Sequence, residues 1–132
     1  MSRRHGRKPE IPSLGAQFEL PAQQVWDAGR VELNSAMVIL LRQEAALREG
    51  KKLIEDEQVE LLNHLTNAMY SFEILVERDA NPKIVKPLAE GCRRLGEGLL
   101  NGDTNEVLEG RRLIVNTMVP IEEEAERQQR QK

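Results

Sequence analysis

Residues 62–76, LNHLTNAMYSFEILV, carry the most regular apolar pattern in this 132-residue chain. The apolar side chains follow one another at steps of three, four, three and four residues, namely Leu62, Leu65, Met69, Phe72 and Val76. Because an α-helix completes a turn every 3.6 residues, these side chains would share one face and form a packing seam. The stretch therefore predicts a helix from about Asp56 to Arg78 that packs against other helices.

Three further stretches have helical apolar spacing. The first runs from Ala22 to Arg48, with apolar residues at Leu33, Met37, Leu40 and Leu47. The next begins at Asn81-Pro82, because Asn is a frequent N-cap and Pro suits the first helical position, and it ends at Asn101-Gly102. The last follows Asp103, which with Glu106 resembles a capping box.

The pattern predicts an all-α fold, an antiparallel four-helix bundle with short connections. The bundle domain covers residues 22–119. Residues 1–21 contain three prolines and a net charge of +2, and they are interpreted as a flexible basic arm. Pro120 should kink or restart the fourth helix, so residues 120–132 are interpreted as a polar helical tail.

Composition narrows the classes of function. The net charge is −3, which argues against a general affinity for nucleic acid or for an anionic membrane. No apolar run approaches the ~20 residues of a membrane span, and the basic N-terminus lacks the apolar region of a signal peptide. The single cysteine cannot form an internal disulfide. We expect a cytoplasmic protein that binds neither nucleic acid nor membrane.

Side chains suited to chemistry are scarce, so we expect no catalytic, cofactor or metal site. Di-iron bundles need a Glu three residues before a His, but Leu61 precedes His64 at that spacing. The other histidine, His5, lies in the arm, and zinc would need more Cys and His ligands. Cys92 falls on the seam of the third helix, which favours a small buried side chain over a reactive thiol.

Apolar residues exceed what one stripe per helix requires. The first, second and fourth helices each have a second stripe, which in the fourth contains Leu108, Val115 and Val119. Three explanations are open: a central helix buried nearly all round, a homodimer, or a hydrophobic groove for a partner segment. The groove hypothesis assigns the binding surface to Val38, Leu41, Ala45, Leu61, Ala68, Leu75, Gly91 and Gly98.

Two other features have competing interpretations. Gly91 and Gly98 strip side chains from one edge of the third helix, which permits close helix packing, tolerance in a frayed segment or a shallow groove. The pairs Arg93-Arg94 and Arg111-Arg112 could form ion pairs with the abundant glutamates or attract an acidic partner.

Two stretches resemble the flagellar export chaperones of the FliS family. Residues 36–58, AMVILLRQEAALREGKKLIEDEQ, resemble the first long helix of that family and the turn after it. Residues 88–114, LAEGCRRLGEGLLNGDTNEVLEGRRLI, resemble its paired-basic, Leu-rich helix, its Asn/Asp turn and its final helix. Together the similarity covers about residues 30–119.

The resemblance implies a non-enzymatic cytoplasmic chaperone that holds the disordered C-terminal segment of flagellin and prevents its assembly before export. It also implies that the N-terminal segment covers the groove of the free protein, through Phe18, Leu20, Val25 and Trp26. Two alternatives are kept open. One is a homodimeric helical scaffold without a client, and the other, for which the residues offer less support, is an enzyme.

Overall fold

The computed structural model of the protein describes residues 20–49 and 55–131. These residues form four helices and no strand: α1 (Ala22–Arg48), α2 (Glu55–Glu77), α3 (Pro82–Asn101) and α4 (Thr104–Arg130). The all-α prediction is confirmed, and α1 has the bounds that the apolar spacing predicts. None of the four helices is both long enough and apolar enough to cross a membrane.

The helices form an antiparallel bundle in which each one packs against the next in the chain. On α1, Gly29 lies against Phe72 of α2, while the later residue Glu32 bonds to the earlier residue His64. On α3 the later residue Gly98 lies against Val107 of α4, while the earlier residue Gly91 lies against the later residue Ile114. Both pairings run in opposite chain directions, as short connections between neighbouring helices require.

The core is aliphatic around one aromatic ring, because the chain has few aromatic residues. Phe72 is fully buried, and its ring centroid lies 5.7 Å from that of Trp26 on α1. Every helix supplies fully buried or nearly fully buried apolar side chains to the same cluster, among them Leu33, Leu40, Leu65, Leu88, Leu95 and Ile114.

Both apolar stripes of α2 reach the core, and the second one is buried more evenly than the predicted seam. In the seam, Leu65 and Phe72 are fully buried, and Leu62, Met69 and Val76 are half-buried. In the second stripe, Leu61, Ala68 and Leu75 are all almost inaccessible. The physical reason is that α2 packs against both α1 and α3. A helix between two neighbours must bury a wider face than a single stripe.

The connection between α3 and α4 has the predicted turn chemistry. Gly102 adopts the left-handed conformation at φ 67°, and the backbone N–H of Asp103 donates to the Gly98 carbonyl at 2.9 Å. The Asp103 carboxylate then accepts a hydrogen bond from the Glu106 backbone N–H at 3.2 Å. This capping interaction confirms Asp103 as the N-cap of α4.

The start of α3 and the region of Pro120 agree with the predictions in part. Asn81 is the N-cap residue of α3 and Pro82 its first residue, as predicted, but Asn81 has a left-handed conformation at φ 49° and makes no side-chain capping bond. α4 continues through Pro120 to Arg130 as one helix, so a restart at Pro120 is wrong, and a kink there stays a prediction. A proline in a helix costs one donor, yet the exposed carbonyls around Pro120 can bond to water instead.

Candidate protein-binding groove between α1 and α4

The first and last helices of the bundle do not pack closely. Among the described residues, close backbone contact is made between consecutive helices, and α1 and α4 lack it. They are joined instead by an ion pair, in which Nη1 of Arg111 lies 2.6 Å from the Glu44 carboxylate. This pair fixes which edges of the two helices face each other.

Apolar side chains stand on both sides of the ion pair. On α1, Leu41 and Met37 precede Glu44 by three and seven residues, so they lie along the edge that faces α4. On α4, Leu108 precedes Arg111 by three residues and Val115 follows it by four. We call this surface the α1/α4 groove and define it by Met37, Leu41, Glu44, Leu108, Arg111, Val115 and Val119.

The walls of the α1/α4 groove are exposed while its floor is buried. The exposed fractions are 51% for Leu41, 55% for Leu108, 39% for Val115 and 40% for Val119. Beneath them, Leu40 and Ile114 are buried in the core. The groove is therefore a strip of exposed apolar side chains above buried core residues, with one ion pair across it.

The outer face of α1 is a second exposed apolar surface. Val31 and Val38 are seven residues apart and 50% and 56% exposed, and Ala45 continues the line at half burial. Leu41 lies three residues after Val38, so this outer face joins the α1/α4 groove along α1. The second stripes of α1 and α4 are thus exposed, unlike that of α2.

The predicted groove set does not form one open surface, and this part of the prediction is wrong. Leu61, Ala68 and Leu75 are core residues of α2. Of the eight predicted residues, Val38 and Leu41 are exposed and Ala45 is half-buried. The pattern located the surplus apolar stripes but could not show which of them a neighbouring helix would cover.

Gly91 and Gly98 permit close packing of α3 on α4 and line no groove. A Cβ on Gly91 would lie 2.8 Å from Cγ1 of Ile114, and one on Gly98 would lie 2.7 Å from the Val107 backbone nitrogen. Gly110 meets them from α4, where a Cβ would lie 2.5 Å from the Leu95 backbone nitrogen. Close helix packing is therefore the correct one of the three interpretations.

The residues assigned to a covering arm have different positions. Val25 is fully buried in the core, and Trp26 is half-buried beside Phe72, so both are part of α1 and not of an arm. Leu20 precedes α1 and is half-buried against the core. Phe18 lies outside the described residues.

A buried carboxylate on α1 was missed by the sequence analysis. Glu32 is 4% exposed, and its Oε1 accepts a 2.8 Å hydrogen bond from the Asn67 amide and lies 3.1 Å from His64 Nδ1. The sequence around Glu32 does not indicate that its side chain bonds to His64 and Asn67, which follow it by 32 and 35 residues. The cluster supplies hydrogen-bond partners to the Glu32 side chain within the α1–α2 contact, as a buried polar group requires.

Burial and ion pairing shift the pKa values of several titratable groups. Burial raises the pKa of the Cys92 thiol to about 12, so the thiol stays protonated and unreactive. Hydrogen bonds from Arg94 and Arg93 lower the pKa of Glu90, and Arg112 likewise lowers that of Glu109. Within residues 20–49 and 55–131, no group of three or more His, Cys, Asp or Glu is placed to hold a metal.

The arginine pairs are used in ion pairs, which agrees with one of the two interpretations given for them. Arg93 and Arg94 both bond to Glu90, and Arg94 also approaches Glu106 of α4. Arg112 bonds to Glu109 on its own helix, whereas Arg111 reaches across to α1. Arg111 is the member that contributes to the α1/α4 groove.

Comparison with known proteins returned no match, whether with protein-family models, with curated proteins or with solved structures. The resemblance to flagellar export chaperones therefore stays a prediction.

Proposed function

We propose that this protein binds a segment of another protein in the α1/α4 groove and performs no chemistry on it. The observation that carries the proposal is the set of exposed apolar side chains on facing edges of two helices that do not pack together. An amphipathic segment could place side chains spaced by three or four residues between Leu41 on one wall and Leu108 and Val115 on the other.

The partner that we propose is an unstructured segment of a protein awaiting export, with the C-terminal segment of flagellin as the named candidate. This choice rests on the resemblance of residues 36–58 and 88–114 to FliS-family chaperones. A disordered segment would gain affinity by burying apolar side chains and would lose part of it as ordering entropy. The protein would act in the cytoplasm, where such a client is made.

The test is a calorimetric titration of the full-length protein with the C-terminal segment of flagellin from the same organism. We expect saturable one-to-one binding with a negative heat-capacity change, because apolar surface is buried. Light scattering on the same samples gives the mass of the free and bound protein. Most specific complexes have dissociation constants below about 100 µM. Absence of binding at that concentration would therefore contradict the flagellin assignment.

The second candidate function is a homodimeric scaffold, favoured by the exposed outer face of α1. Val31 and Val38 form a line that a second copy could bury by symmetric helix packing. Light scattering would then give twice the chain mass for the free protein. A Val31→Glu, Val38→Glu double variant would return it to a monomer if that face is the interface.

A further inference from the structure

Leu20, which precedes α1, is held against the C-terminal end of α2. The guanidinium Nη1 of Arg78 donates a hydrogen bond to the carbonyl oxygen of Leu20, 58 residues earlier. The Leu20 side chain packs against the core. Leu20, the first residue that the structure describes, therefore lies at the C-terminal end of α2.

A cleft of about 660 Å³ opens next to this point, between α2 and α3. Ile74, in its floor, lies four residues before Arg78, which is one helical turn away on the same side of α2. We call it the α2/α3 cleft, and it is lined by Tyr70, Glu73, Ile74, Val76, Glu77, Lys86, Ala89, Glu90 and Arg93.

The α2/α3 cleft has an apolar floor and a charged rim. Ile74 and Ala89 are 3% and 8% exposed, and the Tyr70 ring stands at one end with 40% exposure. On the rim, Glu73, Glu77 and Lys86 make no ion pair with another described residue, whereas Glu90 and Arg93 are paired with each other. The free rim charges are thus two carboxylates and one ammonium, so the cleft can take an apolar side chain from a segment with a net positive charge.

We infer that the N-terminal segment of the same chain, residues 1–19, occupies the α2/α3 cleft, with Phe18 on its floor. Phe18 is two residues before Leu20, a distance of at most ~7 Å along the backbone, and one helical turn separates Arg78 from Ile74 by about 6 Å. The segment carries Arg3, Arg4, Arg7 and Lys8 against Glu10 and Glu19, and its net charge of +2 complements the excess of carboxylates on the rim.

This docking site separates the N-terminal segment from the α1/α4 groove. The FliS-family resemblance implies that such a segment covers the client groove in the free protein, whereas the docking that we infer starts from Leu20, which Arg78 holds at the end of α2. The α1/α4 groove then stays open without a client. The inference does not depend on the proposed function, because it concerns contacts within one chain.

Chemical cross-linking of full-length double-cysteine variants tests the site. One variant carries Phe18→Cys with Tyr70→Cys in the α2/α3 cleft, and the matched one carries Phe18→Cys with Leu108→Cys in the α1/α4 groove. Tyr70 and Leu108 are both exposed, and the native Cys92 is buried and does not compete for the reagent. With a short bifunctional maleimide, we expect the first pair to link within the chain at least about tenfold faster.

Three outcomes would overturn the inference. Faster linking to position 108 would place the segment over the α1/α4 groove, equal rates would mean that it has no preferred site, and linked dimers would assign the cleft to a second copy.

Methyl NMR gives an independent measurement that needs no new cysteine. Phe18→Ala should shift the Ile74 methyl resonances and leave those of Val115 unchanged, and an unchanged Ile74 would contradict the docking.

Discussion

Glu44 and Arg111 are 67 residues apart in the sequence, yet the Arg111 guanidinium donates to the Glu44 carboxylate at 2.6 Å. The pair joins α1 to α4 where the two helices lack close packing. Its side chains are 22% and 34% exposed, so water screens the attraction only in part. The pair is the contact between α1 and α4 that crosses the α1/α4 groove.

Removal of this ion pair should have a small but measurable effect on stability. Arg111→Gln should lower the free energy of unfolding by about 1 kcal/mol or less, as exposed and partly exposed pairs do. Urea unfolding of Arg111→Gln, Glu44→Gln and the double variant gives the coupling energy. Strictly additive effects would show that the pair does not hold α1 to α4, and Arg112→Gln is the control for a pair within one helix.

Charge on the groove walls should weaken client binding without unfolding the protein. Leu108→Glu and Val115→Glu each place a carboxylate at an exposed position, so melting should change little. The dissociation constant for the flagellin segment should rise at least about tenfold, which corresponds to about 1.4 kcal/mol.

The bundle supplies matched controls for these two variants. Leu100 and Val59 are 71% and 54% exposed and stand on α3 and α2, away from the α1/α4 groove. Leu100→Glu and Val59→Glu introduce the same charge without touching the walls. If they weaken binding as much as the wall variants do, general repulsion and not the groove would be responsible.

Helix number, type and most of the helix ends could be predicted from the sequence, because these depend on local spacing and turn residues. Ala22–Arg48 and the Asp103 cap show this most clearly. Local spacing does not show which apolar stripes stay exposed on the surface of the bundle. Leu75 and Leu41 both lie on second apolar stripes, but Leu75 is covered by neighbouring helices and Leu41 is not.

The difference between Leu75 and Leu41 arises from helix order, which spacing within one helix cannot encode. α2 has a neighbour on each side, so both of its stripes are used, whereas α1 and α4 each have one close neighbour. The predicted groove therefore combined core residues with surface residues. The contact between Glu32 and His64 was missed for the same reason, since it joins two helices at one level.

Glycine-to-alanine substitutions should destabilise the protein where two helices pack closely and should not do so where the glycine is merely tolerated in a helix. Gly110→Ala should destabilise the protein by about 1 to 3 kcal/mol, because its Cβ would lie 2.5 Å from the Leu95 backbone nitrogen and the two helices would have to separate. Gly96→Ala meets no atom within 4 Å and should stabilise α3 by up to about 1 kcal/mol. Thermal melting of both variants measures the difference, and equal shifts would contradict the close α3–α4 approach.

Truncation of leucine to alanine should lower the free energy of unfolding strongly at buried positions and only slightly at exposed ones. Leu65→Ala and Leu95→Ala each remove a fully buried side chain and should lower the free energy of unfolding by about 2 to 5 kcal/mol. Leu100→Ala changes the same residue type at an exposed position, where about 0.5 kcal/mol is the usual limit. Normal melting of the first two would contradict their placement in the core.

The reactivity of Cys92 should report unfolding of the bundle. Burial raises the pKa of its thiol from 9.0 to about 12, so at pH 8 the folded protein holds a neutral, covered thiol. Labelling by a thiol reagent should therefore proceed at the rate of unfolding and become faster with urea, while Leu100→Cys adds a thiol that reacts at once.

The same burial makes the stability of the protein depend on pH. Because the folded state favours the protonated thiol, the contribution of Cys92 to the free energy of unfolding is complete below pH 9 and decreases as the pH rises toward 12. Rapid labelling of Cys92 in the absence of urea would show that α3 opens locally and would contradict its place in the core.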